Sequence, residues 1–274
     1  MTGAPAEDAL FVREDGHFVP TEYARGPWTP DALHGGPVAA LLAGAVEAVP
    51  AEDPVQVVRV TVELLRPVPV VPLRVTTAVV RPGRKVQVVE STLFDGERPL
   101  AWSRSLRLRL QDVAASGLPG AVARPVPGRD AGAPMAPADG YTTAPPLGAH
   151  RAFHNAGAEL RYVAGSFTSA GPATVWVRLA VPVVAGEAPT ALQRAAAAAD
   201  FGNGVSAELD FARYLFLNPD LTLYLLRPVR GEWVCLDAVT RLGTPGVAVA
   251  ESALYDTDGP VGRAVQSLLV EPRP

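Results

Sequence analysis

The sequence predicts an α+β protein made of two tandem copies of one unit, a mostly apolar helix followed by a run of antiparallel strands. The first observation is a repeat. Residues 224–229 read YLLRPV and residues 63–68 read ELLRPV, an offset of 161 (224 − 63). ESALYD from Glu251 repeats ESTLFD from Glu90 at the same offset, and Thr61/Thr222, Val86/Val247, Val88/Val249 and Pro99/Pro260 keep it without a gap. One short match arises by chance; a gapless register held from Thr61 to Pro99 does not, and a fixed internal period is the first thing to settle in a fold. The second observation is that each copy carries one helical stretch ahead of its strands. The third is the copy number: two copies exclude a solenoid and favour a pseudo-dimer.

The elements follow in order. Residues 10–24 (LFV, a Gly-containing turn, HFVPTEYA) read as an opening strand or hairpin. GPWTPDALHGG (26–36) is a Pro/Gly loop, and PVAALLAGAVEAV (37–49) is a helix apolar nearly all round, the mark of a helix wrapped by its own domain. Four strands come next at 55–68, 73–83, 85–95 and 100–110. In the last, Leu106, Leu108 and Leu110 alternate with Arg107 and Arg109, the period-two signature of a half-exposed strand. Residues 111–150 are rich in Pro and Gly and read as a linker. The second copy repeats the order: strands at 160–167 and 174–184, a helix at 189–200, a loop insertion at 201–214, then four strands to the end. This places an N-terminal unit at 1–110, the linker at 111–150 and a C-terminal unit at 151–274.

Bulk properties narrow the class. The chain is 48% hydrophobic and 19% charged, enough to bury a core, and its charge of −4 gives no global attraction to nucleic acid or an anionic membrane. MTGAPAEDAL has no basic region before an apolar run, so no signal peptide is expected, and no apolar run reaches the ~18 residues of a membrane span. The cytoplasm is the expected location. The single cysteine, Cys235, reads as a small buried strand residue, and no metal-binding spacing is present. The patterns GxSxG, HExxH and the P-loop are absent, which argues against a Ser-His-Asp hydrolase.

An apolar helix followed by a long antiparallel meander, duplicated in one chain, resembles the double hotdog fold, in which two antiparallel sheets each wrap a buried helix and join edge to edge as a pseudo-dimer. More narrowly, HGG (34–36), LLRPV in both copies, Ala199–Asp200, NPDLTLYLLRP (218–228) and YDTDGPVGRAVQSLLV (255–270) resemble the acyl-CoA thioesterase II family. The resemblance implies hydrolysis of an acyl-CoA thioester by a water that three side chains hold. They are an Asp ending the second helix, a Thr, Ser or Asn entering the next strand, and a Gln on the last strand. Matched by position, these are Asp200, Asn218 and Gln266, with Asn standing where the family also uses Thr.

The duplication gives an internal test. Subtracting 161 maps Asn218 onto Val57 and Gln266 onto Ser105, while the first helix ends at Glu47–Ala48. The polar set exists in one copy only, so one active site is expected and the other copy is expected to be structural. Asp200 faces the negative end of a helix dipole, a placement that favours accepting a proton. Gly35 and Gly36 bring bare amides to a helix start, where a thioester oxygen gains charge, and His34 either orients substrate or caps that helix. The expected requirement is no metal and no cofactor beyond coenzyme A within the substrate. The expected partners are an acyl-CoA or acyl-carrier thioester and further copies of the chain, with no nucleic acid and no membrane span. Two rivals stand beside this reading: a non-catalytic acyl- or lipid-binding protein on the same fold, and a hotdog enzyme acting on a carrier-bound thioester.

Overall fold

The computed structural model describes residues 8–111, 134–144, 150–243 and 246–273. The chain opens with a hairpin, β1 (Phe11–Glu14) and β2 (His17–Pro20). Its two turn residues, Asp15 and Gly16, have φ of 46° and 79°, the left-handed pair that a tight hairpin turn demands. Helix α1 (Gly35–Glu47) follows, then β3 (Val55–Leu64), β4 (Arg74–Arg81), β5 (Val86–Asp95) and β6 (Arg98–Arg109). The second half runs β7 (Ala158–Ser166), β8 (Ser169–Leu179), α2 (Ala191–Ala199), the short α3 (Gly202–Val205) and β9 (Tyr214–Leu217). It ends with β10 (Asp220–Leu225), β11 (Trp233–Leu242), β12 (Val247–Asp256) and β13 (Gly259–Pro272).

One antiparallel sheet holds these strands in the order β4-β5-β6-β3-β10-β13-β12-β11-β8-β7, with β9 also on β13. Adding 161 carries β3 to β6 onto β10 to β13, so the eight strands from β4 to β11 in this order read alike from either end, with β8 and β7 added at one edge. At the join, Thr61 lies opposite its own copy, Thr222, with their hydroxyl oxygens 3.2 Å apart. Asp220 lies opposite Glu63 and Tyr224 opposite Arg59, each pair the exchange of the other under the offset. Each pair across this join is thus carried onto another pair of the same join by the offset.

Both helices lie on one face of the sheet. Helix α1 packs on β3 to β6, α2 on β8, β10 and β11, and the two pack against each other. They run antiparallel. The start of α1 meets the end of α2 at Gly35 and Asp200, and Thr190, which caps the start of α2, donates its hydroxyl to Glu47 at the end of α1. Gly36 is what lets them approach: a Cβ there would sit 2.7 Å from the Ala197 carbonyl oxygen. The first hairpin reaches across to the second half, since the Leu10 and Phe11 amides bond Pro182 and Val183 carbonyls. Residues 134–144 lie on the β7–β8 edge, where Trp176 Nε1 donates to the Met135 carbonyl. The other residues of the expected 111–150 linker, beyond Gln111 and His150, lie outside the described residues.

Two expectations need correction. The helix begins at Gly35 rather than Pro37 and ends at Glu47, because His34 caps it by accepting the Gly36 N–H. Pro37 then takes the third helical position, where an amide has no intrahelical partner to lose. The 201–214 stretch is not all loop, since it holds α3 and the first residue of β9. β9 and β10 lie along the same side of β13, separated at Asn218–Pro219, where proline offers no N–H to the ladder. In β6 the faces are the reverse of what hydrophobicity suggests. Arg107 is 3% exposed, whereas Leu108 and Leu110 are 36% and 54% exposed.

Cys235 is buried on β11 against Trp176 and Tyr255, and burial pushes its thiol up, so it behaves as packing. No helix among the described residues is long and apolar enough to cross a membrane.

Candidate active site

Three separate segments deliver polar groups to one carboxylate. Asp200 sits at the C-cap of α2 and is 4% exposed. From the break between β9 and β10, Asn218 Nδ2 donates to Asp200 Oδ1 at 2.7 Å. From β13, Gln266 Nε2 lies 3.3 Å from the same oxygen and 3.4 Å from the Asp200 carbonyl. Gln266 is 1% exposed, and its Oε1 accepts the Asn203 N–H of α3 at 3.1 Å, which settles which end of the amide faces Asp200. The structure therefore brings together Asp200, Asn218 and Gln266.

It adds His34. Nδ1 of His34 lies 2.7 Å from Asp200 Oδ2 and 3.1 Å from the Gly36 amide nitrogen. An imidazole nitrogen has one in-plane position, so Nδ1 either donates to the carboxylate or accepts from the amide, not both at once. With Nδ1 unprotonated His34 caps the helix, and with Nδ1 protonated it links that helix start to Asp200. A carboxylate offers about four acceptor positions; Asn218, Gln266 and a protonated His34 Nδ1 occupy three, which leaves one on Oδ2.

The two glycines divide their tasks. Gly35 lies against the carboxylate: a Cβ there would fall 2.7 Å from Oδ2 and 2.8 Å from Oδ1. Gly36 is buried, its amide turned to His34 and its Cα against α2. Of the two glycines suggested for a thioester oxygen, Gly35 is the one that lines the adjoining cavity.

That cavity measures about 410 Å3 and its wall includes Asp200, Asn218, His34 and Gly35. The remainder is largely apolar. Trp28, Phe211 and Phe216 form one aromatic wall, with ring centroids 4.8 Å apart for the two phenylalanines and 5.5 Å for Trp28 and Phe216. Phe153 and Phe201 flank the His34 ring at 5.1 Å each. Sequence reasoning missed all five; only Phe201, beside Asp200, carried a signal by position. Arg66, from the first LLRPV, lines the cavity, whereas its copy Arg227 is held by Asp256 through contacts of 2.5 and 2.6 Å. Burial would raise the Asp256 carboxyl, but Arg227 and the amides of Arg230 and Asp258 hold it below the usual carboxylate range.

Two family models match successive stretches of the chain. The description "Acyl-CoA thioesterase N-terminal domain" matches residues 24–108, and "Acyl-CoA thioesterase C-terminal domain" matches residues 128–270. The chain belongs to the acyl-CoA thioesterase family. No curated protein matches it. Among solved structures, a hot dog fold protein of unknown function from Alicyclobacillus acidocaldarius superposes with a TM-score of 0.70 at 18% identity, covering 97% of both chains. The tesB protein of Mycobacterium avium subs paratuberculosis gives 0.66 at 14%, covering 96% of both. The acyl-CoA thioesterase II TesB2 of Mycobacterium marinum gives 0.62 at 17%, covering 87% of this chain and 91% of its own. At these identities the likeness speaks for the hotdog fold, and the acyl-CoA thioesterase family assignment points to thioester hydrolysis.

Proposed function

We propose that this chain hydrolyses an acyl-CoA thioester within a double hotdog pseudo-dimer, with Asp200 as general base for the attacking water. The observation that carries this is the convergence of Asn218, Gln266 and His34 on one buried carboxylate at the wall of an apolar cavity. The free acceptor position on Oδ2 takes a proton from water as its oxygen attacks the thioester carbon, a role that general bases fill at hydrogen-bond range. Asn218, at the cavity wall, holds that water, Gln266 steadies Asp200 Oδ1 from behind, and a protonated His34 Nδ1 fixes the carboxylate plane through the other lone pair of Oδ2. Charge gathers on the thioester oxygen, and the Gly35 amide at the start of α1 meets it with the positive end of a helix. The tetrahedral adduct collapses as the C–S bond breaks, the coenzyme A thiolate takes the proton that Asp200 had drawn from water, and the acyl group leaves as a carboxylic acid.

The acyl chain lies along Trp28, Phe211 and Phe216, since apolar walls with few convergent polar groups suit such a ligand. Arg66, unlike the engaged Arg227, is the cation placed to meet a coenzyme A phosphate. Association of several copies is supported by the outward sheet face, where Tyr224, Val249 and Val265 are each more than a third exposed on neighbouring strands.

The test is thiol release from acyl-CoA thioesters graded from short to long chains. Turnover that depends on chain length supports the reading. Absence of turnover across the series, with an acyl-CoA still raising the melting temperature, replaces it with the acyl-binding reading.

A further inference from the structure

The first copy was expected to be structural, yet a second cavity of about 290 Å3 lies at the other end of the helix pair. Its walls match those of the candidate active site under the offset of 161. Leu225, Pro228 and Val229 line it as Leu64, Pro67 and Val68 line the first, and Val57 stands at the position of Asn218. Glu47 and Thr190, at the facing ends of α1 and α2, mirror Asp200 and His34. The position of Gln266 holds Ser105, which is fully buried and whose hydroxyl has no partner among the described residues.

What sets this cavity apart is Arg107. It lies two residues beyond Ser105 on β6, at the position of Leu268, and faces inward while leucines on either side face out. The residue is 3% exposed, it lines the cavity, and its Nη1 has no partner among the described residues. A guanidinium stays charged, and a buried charge without a counter-ion is strongly disfavoured. Desolvation alone lowers its pKa, with no charged neighbour contributing. Glu47 is at the exposed rim, bound by Thr190, and desolvation by its neighbours raises its pKa against that hydrogen bond. A guanidinium beside a largely aliphatic wall suits a singly charged carboxylate attached to a short apolar body. Val57, Leu110, Leu192 and Leu225 supply that wall. A phosphate dianion fits worse, because its second charge would meet Glu47 and aliphatic surface.

We propose that this second cavity binds an aliphatic monocarboxylate, its carboxylate on the Arg107 guanidinium and its chain against Leu192 and Leu225. The acid released by the proposed reaction is of this class; that link rests on the thioesterase reading, whereas the site itself does not. The arrangement makes one copy catalytic and the other a carboxylate receptor.

The experiment is calorimetric titration of the full chain with butanoate, octanoate and inorganic phosphate, using wild type, Arg107→Leu and Arg107→Lys. Crystals soaked in 8-bromooctanoate locate the ligand by its bromine. The expected result is carboxylate binding that weakens ~30-fold or more in Arg107→Leu and less in Arg107→Lys, with bromine beside Leu192 and phosphate bound far more weakly. Carboxylate affinity equal in wild type and Arg107→Leu overturns the proposal. So does bromine found only beside Asp200, or no carboxylate binding by wild type. Every readout is binding, so failure here leaves the hydrolysis reading to its own test.

Discussion

Gly35→Ala tests the contact on which the candidate site turns. The new Cβ would stand 2.7 Å from Asp200 Oδ2, and ordinary contact begins at 3.4 Å, so the carboxylate must retreat by 0.7 Å (3.4 − 2.7). Retreat is resisted, because Asn218 and Gln266 hold the other oxygen and the residue is buried. A misplacement near 1 Å costs about 100-fold in rate, so kcat should fall by about that factor with KM little changed. Stability should change less, since overpacking costs about 1–3 kcal/mol while alanine gains up to about 1 kcal/mol over glycine in a helix. Thiol release and urea unfolding, run in parallel, separate the two effects. Gly204→Ala is the control: it lines the same cavity, and its Cβ would meet nothing nearer than Phe167 at 3.8 Å. Full activity in Gly35→Ala would refute the reasoning.

Other outcomes follow from the same contacts. Asn218→Asp sets a second carboxylate against Asp200 and should cost at least ~100-fold in kcat, whereas Asn218→Thr should stay within about tenfold of wild type, both read by thiol release. Gln266→Ala leaves the Asn203 amide without its acceptor and should cost about 1–3 kcal/mol in urea unfolding, besides lowering kcat. The Asp256 carboxyl is depressed in the folded state, so its contribution is present above the unfolded pKa, near ~3.9, and is lost as pH falls through the lower folded value. Asp256→Asn should therefore flatten the fall in stability below about pH 4, followed by urea unfolding at stepped pH.

The sequence was legible where one physical rule acted alone. The offset of 161 showed two copies of one unit, and the structure sets Thr61 of one copy against Thr222 of the other. The helix wrapped by its domain was readable from a run with no polar face, and Cys235 from the rarity of exposed free thiols. Asp200, Asn218 and Gln266 needed the family resemblance, since they are brought together from segments that no local rule connects. His34 was read as a cap or a substrate contact, and it stands at the cap position; its contact with Asp200 joins residues 166 apart in sequence (200 − 34) and leaves no local trace. β9 was hidden because Pro219 interrupts what would otherwise read as one strand. Arg107 misled most directly. Period-two patterning identifies two faces but not which one meets the helix, and here Ser103 and Ser105 share the inner face with Arg107 while Leu108 is turned out.

The central claim is that Asp200 takes the proton from the attacking water. The direct measurement is kcat for Asp200→Asn beside wild type on the best acyl-CoA substrate, with unfolding curves to show that both are folded. Asparagine keeps the shape and its bond to a neighbouring amide but cannot accept that proton, so a fall of at least ~100-fold is predicted. Retention of wild-type kcat in a folded Asp200→Asn protein would contradict the account.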